Sequence, residues 1–186
     1  MRIIAGQNRG KKLKSVPGMK TRPTADRVKE AVFSSIDPVL YGSRFLDVFS
    51  GTGNIALEAV SRGAAEAVLL EKDGQALQVI QDNVAACGQQ QRCTVLRGDS
   101  LALLDGLSKQ GRQFDLIYVD PPYQSGLLWN ALEKTTAIMQ PGGTIICEHP
   151  LDMQAPESRG SFEKKKTYRY GKIALTFYRH KDGETE

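Results

Sequence analysis

Strands alternating with helices through the middle of the chain predict an α/β fold: a doubly wound, mostly parallel sheet closed by a C-terminal antiparallel hairpin and preceded by a small basic hairpin and a helix. Three observations carry this. Short apolar runs alternate with helical spacings from Phe45 to Glu148. The last two strand-like runs flank Gly171-Lys172, leaving no room for a crossover helix. Residues 1 to 44 hold ten basic and three acidic side chains, a balance of +7, whereas the rest of the chain holds 15 and 18.

The elements follow in order. In residues 1–23, apolar Ile3, Ile4, Leu13 and Val16 are interleaved with Gly6, Gly10, Pro17, Gly18 and Pro23, which predicts a folded hairpin arm rather than a charged tail. From Thr24, Val28, Ala31, Val32, Ser35 and Ile36 share one helical face with Asp26 in the first turn, and the helix is expected to end before Pro38. Phe45–Phe49 is the first body strand and Asn54–Arg62 its helix; strand Ala67–Glu71 is followed by helix Gln75–Cys87. Strand Thr94–Arg97 precedes a helix over Leu101–Leu107, and strand Phe114–Val119 precedes a helix over Leu127–Met139. Thr144–Glu148 is the fifth strand, and Lys166–Tyr170 with Ile173–Tyr178 form the hairpin. Residues 24–186 therefore read as one catalytic-sized body.

A chain of 186 residues with 40% apolar content is large enough to bury about 70% of its unfolded surface. The first residues carry no stretch of signal-peptide length and no segment approaches the roughly 18 apolar residues of a membrane span, so a cytoplasmic protein is expected. Cys87, Cys93 and Cys147 are odd in number and lack paired spacing, which reads as buried reduced thiols. His149 and His180 are too scattered for a metal site, and no metal is expected. The basic arm on a neutral-to-acidic body predicts a polyanion partner, with Arg9, Lys11, Lys12, Lys14, Arg22 and Arg27 as the nucleic-acid contacts.

Two motifs carry chemistry. Asp120-Pro121-Pro122-Tyr123 follows the strand ending at Val119, where two prolines with fixed φ and no N–H hold the turn stiff and open. An amino group on a planar base needs what this loop offers: the Asp120 carboxylate and a proline carbonyl to accept its N–H bonds, and the Tyr123 ring to stack on. At the other end of the site, Gly51-Thr52-Gly53-Asn54-Ile55-Ala56 is a G-x-G-x-x-A turn between the first strand and its helix. Glu71, ending the second strand, can accept both hydroxyls of a ribose. These features alone fit a dinucleotide as well as an adenosyl cofactor. Asp99, placed for an adenine amino group, and Asp47 near the turn decide between them, since a carboxylate-rich pocket repels a pyrophosphate and attracts a sulfonium carrying an ammonium group. S-adenosylmethionine is the better candidate, with Asp47, Phe49, Gly51, Gly53, Asn54, Glu71, Lys72, Asp99, Ser100 and Asp120 as its expected contacts.

With the glycine turn, Glu71, Asp99 and the Asp-Pro-Pro-Tyr loop in that order, the body resembles the Rossmann-like class I S-adenosylmethionine-dependent methyltransferases that modify exocyclic amino groups. Arg2-Ile3-Ile4-Ala5-Gly6, Gly10-Lys11-Lys12-Leu13 and Thr21-Arg22-Pro23-Thr24-Ala25-Asp26-Arg27-Val28-Lys29-Glu30-Ala31-Val32-Phe33 look like the N-terminal signature of the RsmD-type bacterial 16S rRNA (guanine(966)-N(2))-methyltransferases. The resemblance implies a monomeric cytoplasmic enzyme that methylates a guanine N2 amine of 16S rRNA during small-subunit assembly, with Asp120, Pro121, Pro122 and Tyr123 catalytic; direct methyl transfer needs no strong base, so Asp120 is expected to work at a modest pKa. Two rivals share parts of this pattern: methylation of an adenine, cytosine or glutamine amide nitrogen, and a non-catalytic assembly factor on a relict fold.

Overall fold

The computed structural model describes residues 1–17, 26–122 and 126–181. Helix α1 (Asp26–Leu40) leads into β1 (Arg44–Asp47), α2 (Asn54–Ser61), β2 (Glu66–Glu71), α3 (Gly74–Cys87), β3 (Cys93–Arg97), α4 (Ser100–Lys109), β4 (Phe114–Val119), α5 (Leu127–Thr136), β5 (Met139–Pro150), β6 (Ser158–Arg159), β7 (Phe162–Tyr170) and β8 (Ile173–His180). The eight strands form one sheet in the order β3-β2-β1-β4-β5-β8-β7-β6, with β1 to β5 parallel and the C-terminal strands antiparallel. Helices α1, α2 and α3 pack their apolar faces on one side of the sheet, and α4 and α5 on the other. The strand order reverses direction between β1 and β4. In such sheets the loops leaving the two strands at that point part from each other and open a crevice for ligands.

Most element boundaries shift by one or two residues from the sequence expectation, β1 ending at Asp47 rather than Phe49, and a few shift further. Helix α1 runs through Pro38 to Leu40. Proline so near the end forfeits one hydrogen bond to the exposed Ser34, while Leu40, 1% exposed, ties the last turn into the core. Helix α5 stops at Thr136, and Met139 instead pairs with Phe114 at the start of β5. The hydroxyls of Thr135 and Thr136 turn back to the carbonyls of Leu132 and Glu133, and Pro141-Gly142-Gly143 forms the register shift that follows. Strand β7 begins at Phe162, buried against the sheet, and two-residue β6 has too little pattern to be read at all. The hairpin turn at Gly171-Lys172 stands as expected, with Tyr170 opposite Ile173.

The N-terminal residues form a hairpin in which Arg2 bridges Lys12; Ile3 N–H donates to Lys11 O at 2.9 Å and Gly10 N–H to Ile3 O at 2.8 Å. Ile3 and Leu13 are buried in the same apolar cluster as α1, α2 and α3. Gly6 adopts φ 81°, and a Cβ there would fall 1.8 Å from the Ser61 carbonyl oxygen, so the arm lies with its backbone directly on the end of α2. The expected boundary between residues 23 and 24 lies outside the described residues. No helix among the described residues is long and apolar enough to cross a membrane.

Candidate active site

Strand β1 ends in Asp47, which lies beside Tyr118 of β4, and Val48 N–H donates to Tyr118 O at 3.0 Å. This pairing sets the glycine turn after β1 next to Asp120-Pro121-Pro122 after β4. Gly51 and Gly53 adopt φ 54° and 74°, and a Cβ on Gly53 would press to 3.1 Å from Leu69 Cδ2, so the turn needs glycine both for conformation and for its packing on β2. Glu71 holds this turn: one carboxylate oxygen accepts Gly51 N–H at 2.8 Å, and the other accepts Lys72 N–H at 2.8 Å and Asp73 N–H at 2.9 Å. The oxygen that accepts Gly51 N–H has a second lone pair, so a ligand hydroxyl can still be accepted there.

The remaining expected cofactor contacts divide. Phe49 is half-buried and Lys72 exposed beside the turn. Ser100 is buried and donates to Val48 O at 2.7 Å, tying the start of α4 to the loop after β1. Asp99 is the N-cap of α4, accepting Ala102 N–H at 3.1 Å, and its side chain remains exposed at the same edge of the sheet. Asn54, by contrast, accepts from Lys29 Nζ at 2.8 Å in a buried network beneath the arm.

Three carboxylates converge on the crevice from adjacent strands. Asp47 is 2% exposed, and burial together with the nearby charge of Glu71 pushes its carboxyl up to about 7, against the opposing backbone N–H groups of Ala56 and Phe49. Asp120 is raised well above the usual carboxylate range by burial, then by Glu148 and Asp47. This corrects the modest pKa expected for Asp120: the neighbouring strands contribute acids that the loop alone does not reveal. Glu148, 2% exposed at the end of β5, accepts a short hydrogen bond from the Tyr118 hydroxyl. It also lines a narrow cleft with Pro121, Pro122, Trp129, Pro150 and Met153. Tyr123 lies outside the described residues, as does Arg22.

Sequence reading passed over Lys29, Glu58 and Glu148. Lys29 and Glu58 form an ion pair at 2.8 Å in which both side chains are fully buried. Glu58 further accepts Ile4 N–H at 2.8 Å, Ala5 N–H at 3.0 Å and Arg62 Nε at 2.8 Å. Burial alone would raise its carboxyl, but these donors, Lys29 foremost, hold it below the usual range. Lys29 also donates to Arg2 O at 2.6 Å and to Asn54, so a single network joins the arm, α1 and the first residue after the glycine turn. The one signal for Glu148 was its place as a charge ending an apolar strand, the same signal that pointed to Glu71.

Of the expected RNA contacts that are described, Arg9, Lys11, Lys12, Lys14 and Arg27 are all exposed. Lys14 pairs with Asp82 at 2.8 Å. The three cysteines are buried free thiols, and burial pushes Cys93 up to about 12. His149 is buried, with Nε2 2.8 Å from Thr176 Oγ1, and burial lowers its pKa, so it is a neutral structural residue. Among the described residues no group of three or more His, Cys, Asp or Glu is placed to hold a metal.

The family model described as "Conserved hypothetical protein 95" matches residues 1–179. The chain belongs to this family. Its similar members include the ribosomal RNA small subunit methyltransferase D of Escherichia coli K12, 31% identical over 195 residues that cover 100% of this chain and 93% of that one. The ribosomal RNA small subunit methyltransferase D of Haemophilus influenzae is 36% identical over 173 residues, covering 90% and 89%. The solved structure of a hypothetical protein of Thermus thermophilus superposes with a TM-score of 0.83 at 32% identity, over 96% of this chain and 99% of that one. This is the RsmD-type family that the arm and loop motifs resemble, and the match to the Escherichia coli methyltransferase D runs over the whole of this chain.

Proposed function

We propose that this protein transfers the methyl group of S-adenosylmethionine to the exocyclic N2 amine of a guanine in 16S rRNA, acting as a monomer on the small ribosomal subunit. Its coarser part, rRNA methylation with S-adenosylmethionine as donor, goes with membership of the methyltransferase D family. The observation that carries the finer reading is the placement of Asp120-Pro121-Pro122 at the switch point, across from the glycine turn and beside Glu148.

The residues present suit such a cofactor. The turn at Gly51 and Gly53 leaves backbone close to a ligand, Glu71 and Asp99 edge the crevice, and buried Asp47 with half-buried Asp120 favours a cation over a pyrophosphate. When bound, S-adenosylmethionine supplies the methyl group and retains the electron pair of the broken S–C bond on sulfur. Asp120 and the Pro121 carbonyl accept the two amine hydrogens and so aim the nitrogen lone pair; Tyr123 supplies the stacking ring. As the nitrogen gains the methyl group it sheds one proton, and Asp120 takes it. Burial beside Glu148 and Asp47 favours the protonated form of Asp120, so it is a ready proton acceptor once a nearby positive charge has drawn it into the ionised state. The exposed lysines and arginines of the arm hold the RNA backbone through phosphate contacts, which position without reading sequence.

Small subunits from cells lacking the protein, incubated with the purified enzyme and labelled S-adenosylmethionine, should yield N2-methylguanosine on nucleoside mass spectrometry. A methylated adenosine or cytidine in its place, or label found only in ribosomal protein, refutes the reading.

A further inference from the structure

The cleft beside Pro121 and Pro122 is apolar except for Glu148, the one carboxylate among the described residues lining it. The parallel register of Tyr118 with Ile146 and Val119 with Cys147, carried one residue further, brings Asp120 beside Glu148 on strands about 4.8 Å apart. Side chains two apart share a face, so Tyr118 and Asp120 point the same way, as do Ile146 and Glu148. The hydrogen bond from the Tyr118 hydroxyl shows that these two sets face each other. That bond orients the Glu148 carboxylate, whose oxygen is the acceptor in it.

Two adjacent acceptors of this kind match one purine edge better than another. Guanine presents N1–H directly beside its N2 amine, two donors in a row. Adenine and 2,6-diaminopurine present a lone pair at N1, which an ionised carboxylate repels.

We propose that Glu148 is a specificity-determining residue: its carboxylate accepts N1–H of the target guanine while Asp120 and the Pro121 carbonyl accept the N2 hydrogens, so that a purine with an acceptor at N1 is refused. Asp120 thus orients the reacting nitrogen, and Glu148 decides which base can present one. This rests on the guanine-N2 reading above.

The test uses 16S rRNA carrying guanine or 2,6-diaminopurine at the methylated position. Both bases offer an N2 amine and only guanine an N1–H. Binding is measured with S-adenosylhomocysteine present, so that no transfer occurs. The wild-type protein should prefer guanine about 10- to 100-fold, the range for one hydrogen bond to a charged group. In Glu148→Gln, whose amide oxygen can still accept from Tyr118 and whose amide N–H can meet a lone pair, that preference should fall to within about 3-fold, with S-adenosylhomocysteine affinity unchanged. Tyr118→Phe, which keeps the carboxylate and loses its orienting donor, should lower the preference part-way and covers the case in which Glu148→Gln does not fold. Undiminished preference for guanine in both variants overturns the assignment of Glu148. The wild-type product is identified separately: N2-methylguanosine upholds the underlying reading, and any other product removes that reading and the role of Glu148 with it.

Discussion

Asp47 makes the electrostatics of the crevice measurable without substrate. An ordinary aspartate titrates at about 4, and burial with Glu71 nearby holds Asp47 up at about 7. Its native state therefore binds a proton more tightly than the unfolded chain does. Stability contributed by that proton is complete below about pH 4, declines as pH rises, and is gone above about pH 7. At about 1.4 kcal/mol per pH unit the interval amounts to about 4 kcal/mol in total, of which about 3 kcal/mol falls between pH 5 and pH 7. Asp47→Asn removes the charge while keeping the shape. Its amide leaves donors without designed partners, at a cost of about 1–3 kcal/mol that does not vary with pH. Urea unfolding of the ligand-free proteins at pH 5, 6, 7 and 8 separates the two effects. The variant should gain on the wild type by about 3 kcal/mol from pH 5 to pH 7 and by little more at pH 8, while binding S-adenosylmethionine more weakly at pH 8. A stability difference that stays constant with pH would refute the account of Asp47 as a buried carboxylate awaiting a cation.

Asp120→Ala should lower single-turnover methyl transfer by about 100-fold or more, far more than it weakens cofactor binding, as rapid-quench and calorimetric measurements will show. Lys29→Met strands fully buried Glu58 without its principal cation and should cost about 3–5 kcal/mol in denaturant unfolding. The double variant Lys29→Met/Glu58→Gln should recover part of that loss; a double variant no more stable than the single one would show that the arm contacts of Glu58, not its charge, set the cost. Neutralising Arg9, Lys11 and Lys12 should weaken RNA binding and flatten its logarithmic salt dependence by up to about one per phosphate contact removed, with Kd for the cofactor unchanged. Lys14 should add least to this effect, because Asp82 already compensates its charge.

Much of the fold was legible because its signals are local. Alternating periods of apolar residues, the glycines of the turn and the paired prolines after β4 restrict the backbone wherever they occur, and the family signature of the arm is written in consecutive residues. Boundaries were lost where a tertiary contact outweighed the local pattern. Leu40 draws α1 past Pro38, and Met139 leaves its helical period to pair with Phe114. The site shows the same division more sharply. Residue types and order sufficed to collect Asp47, Gly51, Gly53, Glu71, Asp99 and Asp120 at one end of the sheet. What each does there depends on partners far away in sequence. Asn54 faces Lys29, twenty-five residues before it, and Glu58 gathers the arm backbone from more than fifty. Asp120 is an unusual acid because the strand order sets β4 between β1 and β5, bringing the buried carboxyls of Asp47 and Glu148 to its two sides. The sequence alone determined which chemical groups the crevice holds; the strand order, through burial and mutual repulsion of charges, decided their protonation and therefore their work.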